Sequence, residues 1–226
     1  MKQYDLILFD LDGTLVETAP EICDAVNDTL QHFGFAKVAQ SQVNDWIGHG
    51  TQELLIQALA FVQGLSDADI RGSERLAEIA VVFKTHYRRR CGTRSQCYPQ
   101  VKETLHRLRA HGVRLAVVTN KEGAYTQTVL DAHGLTPLLD CVVSGDTLPT
   151  KKPRPDGVHH CLERFQVHAD KALFVGDSSI DVATARNAGV DVWVVPYGYN
   201  MGAAIADSHP DRLIEDFSAL VAASPP

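Results

Sequence analysis

The sequence predicts a doubly wound α/β fold, in which helices cover both faces of a parallel sheet. Five short runs are apolar almost throughout, as expected for strands buried on both faces. They span residues 6–9, 113–118, 140–143, 172–175 and 190–195. Stretches with the apolar spacing of helices lie between the later strands, at residues 99–111, 123–133, 155–165 and 180–188. This alternation of strand and helix is typical of the predicted fold.

The connection between the first and second predicted strands is much longer than the others. Residues 10–112 separate the first predicted strand from the second, whereas βα and αβ loops usually have ~2–6 residues. Helical apolar spacing recurs within this interval at residues 19–33, 51–62 and 67–90. We therefore expect an all-α domain inserted after the first strand. The predicted boundaries are residues 17–91 for the insertion and 1–16 plus 92–226 for the core.

The composition excludes several classes of protein. A hydrophobic content of 45% with 22% charged residues is typical of a globular protein and not of a disordered chain. The net charge of −7 argues against a nucleic-acid binder, which needs a basic surface. No apolar run is long enough to span a membrane, and no signal peptide is recognisable at the N-terminus. Five scattered cysteines without a CxxC spacing predict free thiols in the cytoplasm, not a zinc site.

The first predicted strand ends in an acidic motif, Asp10-Leu11-Asp12-Gly13-Thr14. Residues two apart on an extended chain point to the same side, so Asp10 and Asp12 face one pocket. Gly13 allows a sharp turn and a close approach to a ligand. Ligands of α/β sheets bind at the carboxyl ends of the strands, where this motif lies. The string is rare by composition, which favours function over a solvated Asp-Gly turn.

A second acidic motif follows the fourth apolar run, with Gly176-Asp177 and then Asp181. On its own this spacing is equally compatible with a helix cap. Together with the first motif it predicts four carboxylates in one place, which would repel each other and shift one another's pKa. A hard divalent cation relieves this repulsion, and all-oxygen ligation suits Mg²⁺. The sequence therefore predicts a magnesium site.

Two further strand ends add polar groups. Thr119 and Asn120 follow the second apolar run, where a hydroxyl and backbone N–H groups at a helix start suit an anionic oxygen. Lys152, after the third run, lies directly before Pro153, which restricts its backbone. Such a lysine can offset charge on a phosphoryl group. Alone, Thr119-Asn120 is more typical of a turn or an N-cap, and the Lys152 segment is typical of a solvated basic loop.

These four ordered motifs resemble those of the haloacid dehalogenase superfamily, over the whole predicted core. The resemblance implies a Rossmann-like sheet, a helical cap domain in the insertion and a Mg²⁺ cofactor. It also implies that Asp10 attacks phosphorus to form an aspartyl-phosphate, while Asp12 acts as general acid and then general base. The implied metal ligands are Asp10, Asp12 through its backbone carbonyl, Asp177 and Asp181. The implied phosphate-binding residues are Thr119, Asn120 and Lys152. The dehalogenases themselves lack an acid at the position of Asp12, so dehalogenation is not expected.

The cap loop carries the expectation about the substrate. Gly48, His49 and Gly50 lie at a predicted helix start, where two glycines allow close approach to a small ligand. A plain interhelical turn explains this segment equally well. The segment is similar to the cap loop of bacterial phosphoglycolate phosphatases, although His49 and Arg154 stand where Asn and His are expected. The resemblance implies a phosphatase for 2-phosphoglycolate.

Three alternatives stay open at this point. The same chemistry could act on another small phosphate ester, such as a sugar 6-phosphate, or on pyrophosphate. A sugar phosphomutase shares both aspartates of the first motif. A catalytically silent binding protein on this fold is a different class, although all catalytic positions are filled. The expected partner is a small phosphate ester, with no nucleic acid or membrane, and both a monomer and a homodimer fit.

Overall fold

The computed structural model describes residues 2–224. Its main sheet has six parallel strands in the order β5-β4-β1-β6-β7-β8. The strands are β1 Leu6–Phe9, β4 Arg114–Val118, β5 Cys141–Val143, β6 Ala172–Gly176, β7 Asp191–Val194 and β8 Arg212–Leu213. The five predicted strands are confirmed within two residues at each end. The sixth, β8, was not predicted because it has two residues, both of them exposed.

Strand β1 lies in the middle of the sheet and is completely buried. Ile7 and Phe9 pack on one face and Leu6 and Leu8 on the other, as the alternation of side chains along a strand requires. The helices that cover the two faces are α6 Val101–Ala110, α7 Gly123–Ala132, α8 Asp156–Phe165 and α9 Ser179–Ala188. This is the predicted doubly wound α/β fold.

Five helices lie in the inserted segment, between the first strand and α6. They are α1 Ala19–His32, α2 Gln40–Trp46, α3 Thr51–Gln63, α4 Asp67–Arg71 and α5 Leu76–Arg90. Residues 67–90, which carry helical spacing in the sequence, form two helices, because the chain leaves the first at Gly72 and starts the second at Leu76. Helix α2 was not predicted, since its seven residues bury only Val43 and carry almost no periodic signal.

A short antiparallel ribbon joins this helical segment to the sheet. It consists of β2 Val16–Glu17 and β3 Gln96–Cys97. The chain therefore leaves the core and returns to it at neighbouring points. The ribbon lies close to the predicted boundaries at residues 17 and 91. Residues 1, 225 and 226, which the predicted core includes, lie outside the described residues.

Two further expectations concern the whole chain. All five cysteines are free thiols in the structure, as expected. Within residues 2–224, none of the helices combines the length and hydropathy needed to cross a bilayer.

Candidate active site

The candidate site lies where β1, β4 and β6 end. Phe9 pairs with Val117 on one side and with Val175 on the other, so the residues that follow all three strands emerge at one edge. The loop before α8 brings Lys152 to the same edge. Segments that are far apart in the sequence thus meet around Asp10.

Three carboxylates come together there. Oxygen atoms of Asp10, Asp177 and Asp181 all lie within 4.8 Å of one another, and the three residues are buried. Asp177 accepts hydrogen bonds from the Thr14 hydroxyl and from the Tyr199 backbone N–H, each at 2.6 Å. Asp177 is therefore held in place by neutral donors, and the cluster offers oxygen ligands alone.

The Asp181 carboxylate is oriented by the start of α9. Its Oδ2 accepts from the Ser178 hydroxyl at 2.7 Å and from the backbone N–H groups of Asp177 and Ser178 at 3.1 and 3.0 Å. Its Oδ1 meets the Lys152 ammonium at 2.7 Å. Asp181 thus acts partly as a helix cap, the alternative that the sequence left open, and its second oxygen faces the cluster.

Lys152 places a positive charge against this cluster. Its Nζ lies 2.9 Å from Asp10 Oδ1 and its side chain is 3% exposed. The carboxamide of Asn120 holds the lysine backbone on both sides, accepting from Lys152 N–H at 2.9 Å and donating to its carbonyl at 3.1 Å. Lys152, and not the exposed Lys151, is thus the lysine that contacts the acids.

The buried cluster carries more negative than positive charge. Burial raises the pKa of Asp10 to about 6, with the charge of Lys152 opposing the shift and those of Asp181 and Asp12 adding to it. Burial and the charges of Asp181 and Asp10 also raise the pKa of Asp177 well above its usual range. One lysine does not neutralise three buried carboxylates. A hard divalent cation with oxygen ligands fits both the charge and the donor set.

Asp12 departs from the predicted group of four. Its carboxylate receives the Lys121 ammonium at 2.8 and 3.1 Å and the Thr18 hydroxyl at 2.6 Å. Both donors hold it apart from the other three acids. Lys121 was missed by the sequence analysis, although it directly follows Thr119-Asn120 at the end of an apolar strand.

A cavity opens in front of Asp10 and Asp12. The core side of its lining is completed by Thr119, Asn120 and Lys121. The helical segment provides the rest of the lining: Ile22, Ile47, Gly48, Gly50, Thr51 and Leu54. The cavity is therefore bounded by both parts of the chain, with its acidic groups on the core side.

The two predicted loop glycines lie at this cavity in backbone conformations that favour glycine, with φ of 131° for Gly48 and 94° for Gly50. His49, between them, is exposed and is absent from the cavity lining. A contribution of His49 to substrate binding thus stays a prediction.

Two hydrogen bonds tie this loop to the core. The Asn120 carboxamide donates to the Gly48 carbonyl at 2.9 Å, and the Thr51 hydroxyl donates to Glu122 at 2.6 Å. The Asn120 side chain thus connects three segments, so any contact with an anion falls to its main chain. Glu122 was not identified from the sequence.

Tyr199 links the acidic cluster to the helical segment. Besides its N–H on Asp177, its hydroxyl accepts from the backbone N–H of Ala19, the first residue of α1, at 3.1 Å. Gly198, before it, lies so close to Asp177 that a Cβ there would stand 2.2 Å from its carboxylate oxygen. The contact of this segment with Asp177 was not foreseen from the sequence.

Comparison with known proteins gives consistent matches over nearly the full chain. The sequence model of haloacid dehalogenase-like hydrolases matches residues 7–195. A phosphoglycolate phosphatase of Vibrio cholerae is 37% identical over 221 residues, covering 98% of this chain and 97% of the relative. One from Mannheimia succiniciproducens is 38% identical, with 97% and 98% covered. The crystal structure of a predicted phosphoglycolate phosphatase from Haemophilus somnus superimposes with a TM-score of 0.91 at 34% identity, covering 98% of both chains.

Proposed function

The chain belongs to the haloacid dehalogenase-like hydrolases, and we propose that it is a Mg²⁺-dependent phosphatase that converts 2-phosphoglycolate to glycolate and phosphate. It is a phosphoric monoester hydrolase, as the family match and the similarity to named phosphatases indicate. One observation carries the finer proposal. Three buried acids and Lys152 meet beside a cavity that Asp12 also lines.

Asp10 is the proposed nucleophile. Its Oδ1 accepts from the Leu11 N–H at 2.7 Å and lies 2.9 Å from the Lys152 ammonium, which fixes the carboxylate at the cavity. Attack of this carboxylate on phosphorus forms an aspartyl-phosphate and breaks the bond to the leaving oxygen. Water then attacks phosphorus and releases Asp10 and phosphate. Splitting one displacement into two easier steps is the gain of covalent catalysis.

Asp12 is the proposed acid and base. In the first step it gives its proton to the departing alkoxide, and in the second it takes one from the attacking water, so it ends unchanged. Thr18 and Lys121 hold its carboxylate at the cavity, two residues from the nucleophile. This close spacing lets one side chain serve both steps on the same phosphorus atom.

The residues present fit a bound Mg²⁺ ion. The proposed ligands are the carboxylates of Asp10, Asp177 and Asp181 and the backbone carbonyl of Asp12. When bound, the ion would neutralise charge on the carboxylates and the phosphoryl oxygens. Thr119, Lys152 and the main chain at Asn120 are proposed to bind those oxygens. Preorganised positive charge of this kind supplies much of the rate in phosphoryl transfer.

We assign residues 17–91 as a cap domain that recognises the leaving group and residues 1–16 plus 92–226 as the catalytic core. The cap supplies the apolar lining of Ile22, Ile47 and Leu54, together with the Gly48–Thr51 loop. Because the core motifs contact the phosphoryl group, we propose that this lining contributes to discrimination between esters. The proposed setting is the cytoplasm, with neither nucleic acid nor membrane as a partner.

Phosphate release from a panel of esters tests the function. We expect 2-phosphoglycolate to show a higher kcat/KM than a sugar 6-phosphate, pyrophosphate or p-nitrophenyl phosphate. Chelation should stop the reaction and added Mg²⁺ should restore it. A sugar phosphate isomerised without phosphate release would instead identify a phosphomutase. Activity that survives thorough chelation would exclude the proposed metal site.

A further inference from the structure

Lys121 is a cation that lines the cavity, and the proposed mechanism uses it only to hold Asp12. We infer that Lys121 binds a carboxylate on the leaving group, so that the enzyme selects small phosphate esters that carry an acid next to the ester oxygen. This inference rests on the proposed function and assigns the residue that determines its substrate class.

The Lys121 ammonium is buried at the cavity. Its side chain is 1% exposed, and Nζ lies 2.8 and 3.1 Å from the two oxygens of Asp12 and 5.1 Å from the centre of the Tyr87 ring. An ammonium has three donor hydrogens, and Asp12 accepts two bonds. Lys121 also lines the cavity, so its remaining donor capacity is within reach of a ligand there.

A buried ion pair is an expensive way to stabilise a fold. Burying the pair removes the hydration of both charges. Replacing such a pair with well-packed apolar side chains therefore often leaves the stability of the fold unchanged or raises it. The lining that the helical segment adds next to this pair is apolar, with Ile22, Ile47 and Leu54. A second anion that enters such a poorly solvated space would meet a strong, weakly screened charge. The cost of burying Lys121 is thus consistent with a role in binding.

The position of Lys121 suits a short leaving group. The ester oxygen of the substrate must come within reach of Asp12, which protonates it. In 2-phosphoglycolate a single methylene separates that oxygen from the carboxylate carbon. The cation that recognises this carboxylate must therefore lie beside Asp12, and Lys121 contacts Asp12 directly.

The other nearby cations do not meet this requirement. Lys152 contacts Asp10 and Asp181, at the phosphoryl end. His49 and Lys151 are exposed. Among the described residues that line the cavity, Lys121 is the one cationic side chain.

The first test needs no variant. Wild-type kcat/KM is compared for 2-phosphoglycolate and its neutral counterpart, 2-hydroxyethyl phosphate. A charged hydrogen bond in a desolvated site predicts a preference of roughly 10- to 100-fold for the acid. Competitive inhibition by 3-phosphonopropionate and propylphosphonate, which need no proton from Asp12, should show the same preference. Equal kcat/KM values for the two esters, together with equal inhibition by the two phosphonates, would overturn the inference. The phosphatase assignment would be unaffected.

The second test removes the charge. Lys121→Met should slow the hydrolysis of both esters, since Asp12 loses its partner. The ratio of their kcat/KM values should fall close to one. Lys121→Arg should keep part of the ratio. Lys151→Met, which removes the neighbouring exposed lysine, should leave it unchanged.

Equal losses on both esters in Lys121→Met, with the ratio intact, would reduce Lys121 to a partner of Asp12 and refute the inference. Loss of the ratio in Lys151→Met instead would also refute it. Failure of the wild type to hydrolyse 2-phosphoglycolate would defeat the proposed substrate. The phosphonate pair, measured against whichever ester is hydrolysed, would then still decide whether Lys121 recognises a carboxylate.

Discussion

Asp10 combines burial with contact to a fixed cation. Its side chain lies at the end of the central strand, and Lys152 and the Leu11 N–H both contact Oδ1. These contacts orient the carboxylate, and Asp10 still lines the cavity. Orientation and access together are what a nucleophile needs at this position.

Replacing Asp10 with Asn tests that role. Asn preserves the shape of the side chain but removes the nucleophilic oxygen, and residual binding cannot replace a covalent step. We expect kcat for 2-phosphoglycolate to fall by at least on the order of a thousandfold. The far-ultraviolet circular dichroism spectrum should match that of the wild type. Substantial turnover by correctly folded Asp10→Asn would exclude the aspartyl-phosphate route.

Gly198 provides a second test at the residue scale. A Cβ at this position would stand 2.2–2.4 Å from three atoms of the Asp177 side chain, so Gly198→Ala must displace a carboxylate held by Thr14 and Tyr199. We expect the Mg²⁺ concentration for half-maximal activity to rise several-fold.

Gly72→Ala is the matched control for this substitution, because a Cβ there would meet only ordinary contacts at 3.6 Å. Its Mg²⁺ requirement should equal that of the wild type. An unchanged requirement in Gly198→Ala would show that Asp177 tolerates the shift and contributes little to metal binding.

At the scale of elements, the loop of residues 48–51 connects the helical segment to the chain that follows β4. Asn120 binds the Gly48 carbonyl and Glu122 binds Thr51, while α3 begins at the loop's end. A segment fixed at both ends places its backbone reproducibly against a small ligand. Small displacements of this loop should therefore affect the ester it recognises.

Gly50→Val should impair 2-phosphoglycolate hydrolysis more than that of p-nitrophenyl phosphate. Its φ is 94° and a Cβ would lie 3.1 Å from the Asn120 carbonyl oxygen, so the loop must move. Binding energy from the non-reacting part of a substrate orients the reacting centre, and the aryl ester depends less on this loop. We expect a loss in kcat/KM at least tenfold greater for 2-phosphoglycolate.

Gly64→Val serves as the control for backbone strain. Gly64 also has positive φ, at 65°, but nothing lies within 4 Å of its Cβ position at the far end of α3. It should lower stability while leaving the ratio of the two kcat/KM values unchanged. Equal losses on both esters in Gly50→Val would remove the loop as the specificity element.

At the scale of the whole molecule, we expect the acidic cluster to couple metal binding to stability. Three buried carboxylates within 4.8 Å repel each other, and they come from the loops after β1 and β6 and from the first turn of α9, which the fold holds together. The unfolded chain separates them and has no such site. A cation that binds only the folded chain stabilises it by mass action.

Mg²⁺ should therefore raise the melting temperature. At about 100 times the dissociation constant the gain is about 2.7 kcal/mol, or roughly 5–10 °C for a chain of this size. Differential scanning fluorimetry across a Mg²⁺ titration measures it. The exposed-site variant Asp170→Ala should keep this shift, and Asp177→Ala should lose most of it. A Tm independent of Mg²⁺ in the wild type would contradict the proposed metal site.

Local patterns in the sequence were sufficient for the framework of the molecule. Burial on both faces and helical spacing are visible within a few residues. They were sufficient to predict the five strands of three or more residues, the helical insertion and the acids at the ends of β1 and β6. The same holds for Lys152, whose position before a proline distinguishes it from Lys151. Short elements such as α2 and β8 carried too few buried residues to be recognised.

Only the tertiary structure decided how the site is assembled. The pairing of Asp12 with Lys121 joins residues 109 positions apart, and the contact of Tyr199 with Asp177 spans 22. The Asn120 carboxamide donates to the backbone carbonyls of Gly48 and Lys152, and His49 is exposed between two glycines that line the cavity. Which groups a loop residue contacts depends on what the fold packs against it, and no local period encodes that. The residue types of the proposed chemistry were thus visible in the sequence, whereas the distribution of their charges depended on the fold.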